Sequence, residues 1–223
     1  MKLETVDNHS FFPDLLTPGG AVLDVGARGF VFAKEMARRG HRVIAMEPDP
    51  SGMPYVVEVP REGSIDIAAL ALVGSGQPAR QRLSRWDNGE ANRLITPATP
   101  ASSHPSADVI EVLCADVEFV TRLYGSPTWD LVKMNCEGAE FDVLRTWPGP
   151  IARQLSVSFH DHTGANPGGE ATYQEILAHL GKWYEVIRHV WEERYCAGGS
   201  YWDSVITLRG LVPAGVERRM VTR

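Results

Sequence analysis

Residues 21–47 read AVLDVGARGFVFAKEMARRGHRVIAME. The first five, Ala21-Val22-Leu23-Asp24-Val25, make a short apolar run of the kind that becomes a strand buried on both faces in a parallel sheet. A loop bounded by Gly26 and Gly29 follows. Over 30–39 the apolar residues Val31, Phe32, Ala33, Met36 and Ala37 recur at helical spacing, and Gly40 stands where a C-terminal cap belongs. Residues 41–46 supply a second strand, which the prolines of Glu47-Pro48-Asp49-Pro50 stop just after an acidic residue. Strand, loop, helix and strand in this order form a mononucleotide-binding half.

Outward from this unit, Thr17-Pro18-Gly19-Gly20 is a turn that delivers the first strand from a lead-in carrying Phe11, Phe12, Leu15 and Leu16. Downstream, an alternating scheme wants a helix over 51–63. Two prolines, two glycines and the β-rich Tyr55-Val56-Val57-Glu58-Val59 argue against a regular one. Residues 65–73 read as a third strand. Residues 74–106 are rich in Gly, Pro, Ser and Thr, as expected of a hairpin and a long excursion suited to covering a pocket. Alternation then resumes, with strands over 109–113, 129–136 and 154–159 and helices over 115–124, 139–147 and 170–180. Two further strands, 183–191 and 201–208, are separated by Gly198-Gly199 and should pair antiparallel, because a parallel return needs a longer crossover. The expected architecture is one α/β domain over 1–223, a mostly parallel sheet with helices on both faces and an insertion at about 74–108.

The whole-chain properties narrow the function. A chain of 223 residues accommodates one core and one cofactor cleft. No apolar run approaches the ~20 residues of a membrane span, and MKLETVDNHSFF lacks the basic start and apolar stretch of a secretory signal. Cys114, Cys136 and Cys196 contain no CxxC pair, which argues against a disulfide framework or structural zinc and fits a reducing cytoplasm. The net charge of −6 offers no broad attraction to phosphate backbones, so nucleic acid is not the expected partner, although Arg80, Arg82 and Arg85 form a local basic patch.

The chemistry concentrates at strand ends. In Asp24-Val25-Gly26-Ala27-Arg28-Gly29 the glycines allow a sharp turn and close approach to a ligand, and the next helix points its amide end toward it. Glu47, about twenty residues on, is placed to accept ribose hydroxyls. Together they indicate a nucleoside-containing cofactor. The full GxGxxG that cradles a pyrophosphate is absent, which favours a cofactor without phosphate.

The stretch Trp129-Asp130-Leu131-Val132-Lys133-Met134-Asn135-Cys136-Glu137-Gly138-Ala139-Glu140 is an apolar strand that ends in polar residues and turns into a helix. It resembles the DLxKIDxEGAE signature of FkbM-type methyltransferases. Val22-Leu23-Asp24-Val25-Gly26-Ala27 and Glu47-Pro48 resemble that family's cofactor segments at compatible spacing, and the likeness runs over about 22–159. The resemblance implies a seven-stranded class I methyltransferase sheet with its last strand inserted antiparallel. It also implies S-adenosylmethionine as methyl donor and an oxygen of a small molecule or sugar as acceptor. Carried over by position, Asp24, Gly26, Ala27, Arg28 and Gly29 surround the methionine end of the donor. Glu47 and Pro48 hold its ribose, and Leu70, Ala71 and Leu72 lie near the adenine.

This sequence has Asn135 where the signature has Asp. An amide can orient the sulfonium or a hydroxyl but cannot act as a general base; a helix-capping role is the plain alternative. Glu137 and Glu140 fall in the first turn of the following helix, where its dipole favours carboxylates regardless of function. Phe159-His160-Asp161-His162 ends the next strand on the ligand-binding edge, making His160 the candidate base with Asp161 beside it. His160, Asp161, His162 and Glu137 include ligand types suited to a divalent metal, yet no spacing motif demands one and none is assigned. Trp86, Asp87, Asn88, Trp191 and Tyr201 are available to line an acceptor pocket, without an assigned role. Two rivals keep part of the pattern. A catalytically idle donor-binding module would retain Gly26, Gly29 and Glu47, and an NAD-dependent oxidoreductase would use the first half but leave the Glu137–Glu140 turn unexplained.

Overall fold

The computed structural model describes residues 1–53, 61–76, 78–85, 92–95, 108–125, 128–161, 169–195, 199–216 and 219–222. The chain opens with a hairpin, β1 (Glu4–Val6) and β2 (His9–Phe11), turned by Asp7 and Asn8 in left-handed conformations. The βαβ unit follows as β3 (Ala21–Val25), α1 (Val31–Arg38) and β4 (Arg42–Met46). Next come β5 (Ser64–Ala68), β6 (Leu70–Leu72), β7 (Ala79–Arg85), β8 (Arg93–Ile95) and β9 (Asp108–Ala115). The second half contains α2 (Val117–Leu123), β10 (Trp129–Met134), α3 (Ala139–Arg145), β11 (Ala152–Asp161), α4 (Gly169–Leu180), β12 (Tyr184–Tyr195), β13 (Gly199–Leu208) and β14 (Arg219–Thr222).

The main sheet has the order β14-β12-β13-β11-β10-β3-β4-β5. From β5 to β11 all neighbours are parallel; β13 inserts antiparallel between β11 and β12, and β14 joins β12 in parallel. The fold is thus α/β with a mixed sheet, and the pairing of the two late strands is the expected one. The sheet has eight strands where seven were expected, because β14 extends its edge. Chain order runs outward from β3 through β4 to β5 on one side and through β10 to β11 on the other. The topological switch point, where α/β ligands bind, therefore lies at the carboxyl ends of β3 and β10.

Helices cover both faces. Phe32, Ala33, Met36 and Ala37 of α1 pack on Val22, Val43, Ala45 and Leu131. On the opposite face, Phe141 and Leu144 of α3 and Tyr173, Ile176 and Leu180 of α4 pack on Val132, Leu155, Val157 and Phe159. This two-sided burial is why the strands read as continuous apolar runs.

The single strand expected over 65–73 is two. The ladder breaks at Ala69: β5 pairs with β4 in the main sheet, whereas β6 pairs with β9 in a separate four-stranded sheet ordered β6-β9-β7-β8. That second sheet takes β7 and β8 from the region foreseen as an insertion and completes itself with the strands on either side. Between Ser51 and Gly63 the described residues form a short 3-10 turn over Pro50–Gly52 and no regular helix. The N-terminal hairpin and β14 had no counterpart in the sequence reading.

Candidate active site

One bank of the candidate site is built from the tips of β3 and β4. Gly26 and Ala27 both donate their amides to Met46 O at 3.0 Å, which folds the glycine turn onto the strand that ends in Glu47. Gly26 has φ of +73°, and a Cβ there would stand 1.8 Å from the Asn135 carbonyl oxygen, so only glycine fits between the tips of β3 and β10. Gly29 is also left-handed but faces open space, and Arg28 beside it is exposed. Glu47 is buried and accepts the Asp49 amide at 2.9 Å. Burial pushes its pKa up to about 7, reinforced by the nearby Asp49 charge and opposed by the Asp49 amide, Arg28 and Lys133. Pro48 is half-buried between these two acids.

The other bank is built from the tips of β10 and β11, facing that of β3. Asp24, Lys133 and Ser156 sit side by side in register across β3, β10 and β11, on the face toward α1. Lys133 is 2% exposed and donates to Gly26 O at 2.8 Å, with its ammonium 2.9 Å from Asp24 Oδ1. That contact is an ion pair without hydrogen-bond alignment, and neither Asp24 oxygen has a hydrogen-bond partner. A lysine buried in a sheet requires such compensation, because an isolated charge there is costly.

Glu137 and Gly138 follow each other in left-handed conformations, with φ of 54° and 102°. For glutamate this is uncommon, and such backbone is held only where its surroundings over-determine it. The restraint is Glu140, fully buried, which accepts the Cys136 amide at 2.6 Å and the Gly138 amide at 2.7 Å. The same carboxylate lies 3.4 Å from His160 Nδ1, and Glu137 Oε1 lies 4.0 Å from His160 Nε2. Burial works against the charged forms of both partners. Mutual attraction outweighs it: the His160 pKa is raised and the Glu140 pKa lowered.

Over this cluster lies the N-terminal hairpin. The Phe12 amide donates to Gln154 Oε1 at 2.9 Å, Gln154 Nε2 donates back to Phe12 O at 3.0 Å, and Arg188 donates to Ser10 Oγ at 2.9 Å. His9 is buried with Nδ1 3.4 Å from Ser158 Oγ. Burial, then the positive charges of Lys133 and His160, push its pKa down to about 2, so it is neutral at any working pH.

The expected residues thus separate into two banks. Asp24, Gly26, Ala27, Arg28, Gly29, Glu47 and Pro48 gather at the β3 and β4 tips; Asn135, Glu137 and His160 gather at the β10 and β11 tips. Leu70, Ala71 and Leu72 are buried in β6. Leu70 and Leu72 belong to the main core and Ala71 to the apolar centre of the second sheet. Two expectations are corrected. Asn135 does not cap the helix: Gly138 occupies the cap position, and the Asn135 Oδ1 is buried without a hydrogen-bond partner. Glu137 precedes α3 rather than lying in its first turn, and Glu140, which does lie there, is the more buried of the two. Asp161 ends β11. Its side chain and those of Trp191 and Tyr201 lie outside the described residues, as do Trp86, Asp87, Asn88 and His162 altogether.

Three participants were missed. Lys133 had a signal, since a charge inside a buried strand needs a partner. Glu140 had only its place in a helix turn, and His9 had none. Among the described residues no three His, Cys, Asp or Glu side chains are grouped to hold a metal ion, and no helix is long and apolar enough to cross a membrane.

No family model matches the chain, and no curated protein matches it. Among solved structures, the chain is similar to a TehB-like SAM-dependent methyltransferase from Corynebacterium glutamicum, at 12% identity and a TM-score of 0.43, covering 88% of this chain and 84% of that one. It is similar to a SAM-dependent methyltransferase from Methanosarcina mazei at 10% identity and a TM-score of 0.38, covering 89% and 98%. It is also similar to TYW2 of Pyrococcus horikoshii in complex with MeSAdo, at 14% identity and a TM-score of 0.45, covering 92% and 70%.

Proposed function

We propose that this chain is a class I S-adenosylmethionine-dependent methyltransferase of the FkbM type, acting on a hydroxyl oxygen of a small molecule or sugar. The observation that carries the reading is the junction of the glycine turn with Glu47 at the topological switch point, where Gly26 and Ala27 bond the residue just before that acid. The residues suit the donor. Glu47 offers a buried carboxylate for two ribose hydroxyls, and Asp24 keeps buried oxygens without hydrogen-bond donors beside the turn. The turn carries two glycines without the full GxGxxG spacing, which matches a cofactor lacking a pyrophosphate.

When bound, the donor supplies a methyl already activated on a sulfonium, so the protein's tasks are alignment, exclusion of water and removal of one proton. A hydroxyl is a weak nucleophile until that proton leaves. His160 in its neutral form accepts it, and the imidazolium so formed is held between Glu140 and Glu137. Glu140 positions the ring while tying the 136–138 backbone, and Asn135 orients the acceptor or the sulfonium. The raised His160 pKa makes it a stronger base than a free imidazole, and turnover should fall as pH drops through that value.

The test is calorimetry with S-adenosylhomocysteine and NADH, followed by mass spectrometry of hydroxylated metabolites incubated with the protein and S-adenosylmethionine. Uptake of the first ligand and a methyl mass gain on a hydroxyl compound are expected. Failure to take up S-adenosylhomocysteine removes the reading; uptake with no turnover on any acceptor points to an idle binding module.

A further inference from the structure

Among the described residues, side chains at one end of the second sheet reach the donor side of the cleft at Asp49. Its carboxylate is 1% exposed and filled by donors from two directions. From its own strand tip it accepts the Ser51 amide at 2.9 Å and the Ser51 hydroxyl at 2.8 Å. From the second sheet it accepts Asn92 Nδ2 at 2.6 Å and faces Arg85 Nη1 at 3.5 Å. Arg85 ends β7 and Asn92 precedes β8, so both contacts come from one end of the same antiparallel pair. Arg85 also bridges to Asp108 at the start of β9.

On its other side Asp49 holds Glu47. Its amide donates to Glu47 Oε1, and the 3-10 turn it caps brings Gly52 against the same carboxylate, where an added Cβ would stand 3.0 Å from Glu47 Cδ. The position of the Glu47 oxygens therefore depends on a turn whose capping residue is anchored in the second sheet.

We infer that Asp49 is a positioning residue for ribose recognition, and that the β7–β8 end of the second sheet belongs to the donor site rather than to the acceptor pocket. This rests on the donor reading of Glu47. Ordering of β7 and β8 and capture of the ribose are then two sides of one equilibrium: whatever loosens the Asn92 and Arg85 contacts weakens the grip on the ribose hydroxyls specifically, and ligand in turn tightens those contacts.

The experiment measures calorimetric affinities of the full chain and of an Asn92→Ala/Arg85→Ala double variant. The ligands are S-adenosylhomocysteine and its analogue lacking both ribose hydroxyls. The variant should bind the complete ligand about tenfold more weakly and the analogue within about twofold of the parent protein. In parallel, S-adenosylhomocysteine should slow amide exchange over 79–85 in the unmodified chain. Equal loss for both ligands marks a merely structural role and overturns the inference, as does unchanged affinity or unchanged exchange while the parent protein still binds. If the parent protein binds neither ligand, the donor reading itself falls and takes this inference with it.

Discussion

The two banks of the cleft solve different problems. The β3–β4 side is held by backbone: amides of the glycine turn reach the neighbouring strand tip, where burial pushes the Glu47 pKa up to about 7. The β10–β11 side is held by charge: Lys133 reaches across to Asp24 of β3 and His160 faces Glu140, both pairs out of water. The first arrangement tolerates no added atoms and the second tolerates no lost partner.

The largest effect expected is on the backbone side. Gly26→Ala should cost more than about 4 kcal/mol, because the new Cβ meets the Asn135 carbonyl and the residue must stay left-handed. In thermal unfolding this reads as a loss of roughly 10 °C or more for a chain of this size. A variant that melts with the parent would show that the two strand tips separate freely.

Next comes Lys133→Met, which removes a cation and leaves Asp24 buried without it. A cost of about 3 kcal/mol is expected. Restoring neutrality with Asp24→Asn in the same chain should recover part of that loss; no recovery would mean that the lysine acts through Gly26 O alone.

Third, the base role proposed for His160 requires that His160→Ala lower turnover about a hundredfold while leaving S-adenosylhomocysteine affinity within about twofold. Parallel losses in both would merge the two banks into one unit.

The smallest effect is a pH dependence of the unliganded protein. Glu47 has a folded pKa near 7, above the 4.5 of an exposed glutamate, so the folded chain holds its proton longer than the unfolded one. Its contribution is intact below about pH 4.5 and is lost progressively as pH rises from there through 7. Glu47→Gln should flatten stability across that window in denaturant titrations. An unchanged slope would assign the burial penalty elsewhere.

The same contrast explains what the sequence reveals. The glycine turn, α1 and Glu47 are neighbours along the chain, and their spacing, periodicity and punctuation are visible in one short window. The helices and most strands were legible for the same reason, as was the antiparallel β12–β13 pair. The β10–β11 bank is assembled from residues 9, 133, 140 and 160, and no local pattern records that His9 reaches Ser158 or that Glu140 turns inward. The break at Ala69 was hidden because Ile67 to Val73 is apolar without interruption, and only the partners of β5 and β6 distinguish one strand from two.

The hairpin that roofs the acceptor bank carries a consequence for assembly of the chain. Residues 9–12 are synthesised long before Gln154 and Arg188, to which they bond. Their docking is among the most non-local contacts in the molecule and must wait until β11 and β12 exist, which makes closure of this roof a late event in folding. Until then Phe12, which the finished protein covers with Leu15, Ile187, Val205 and Val212, stays in water, whereas Phe11 already has its partners in α1.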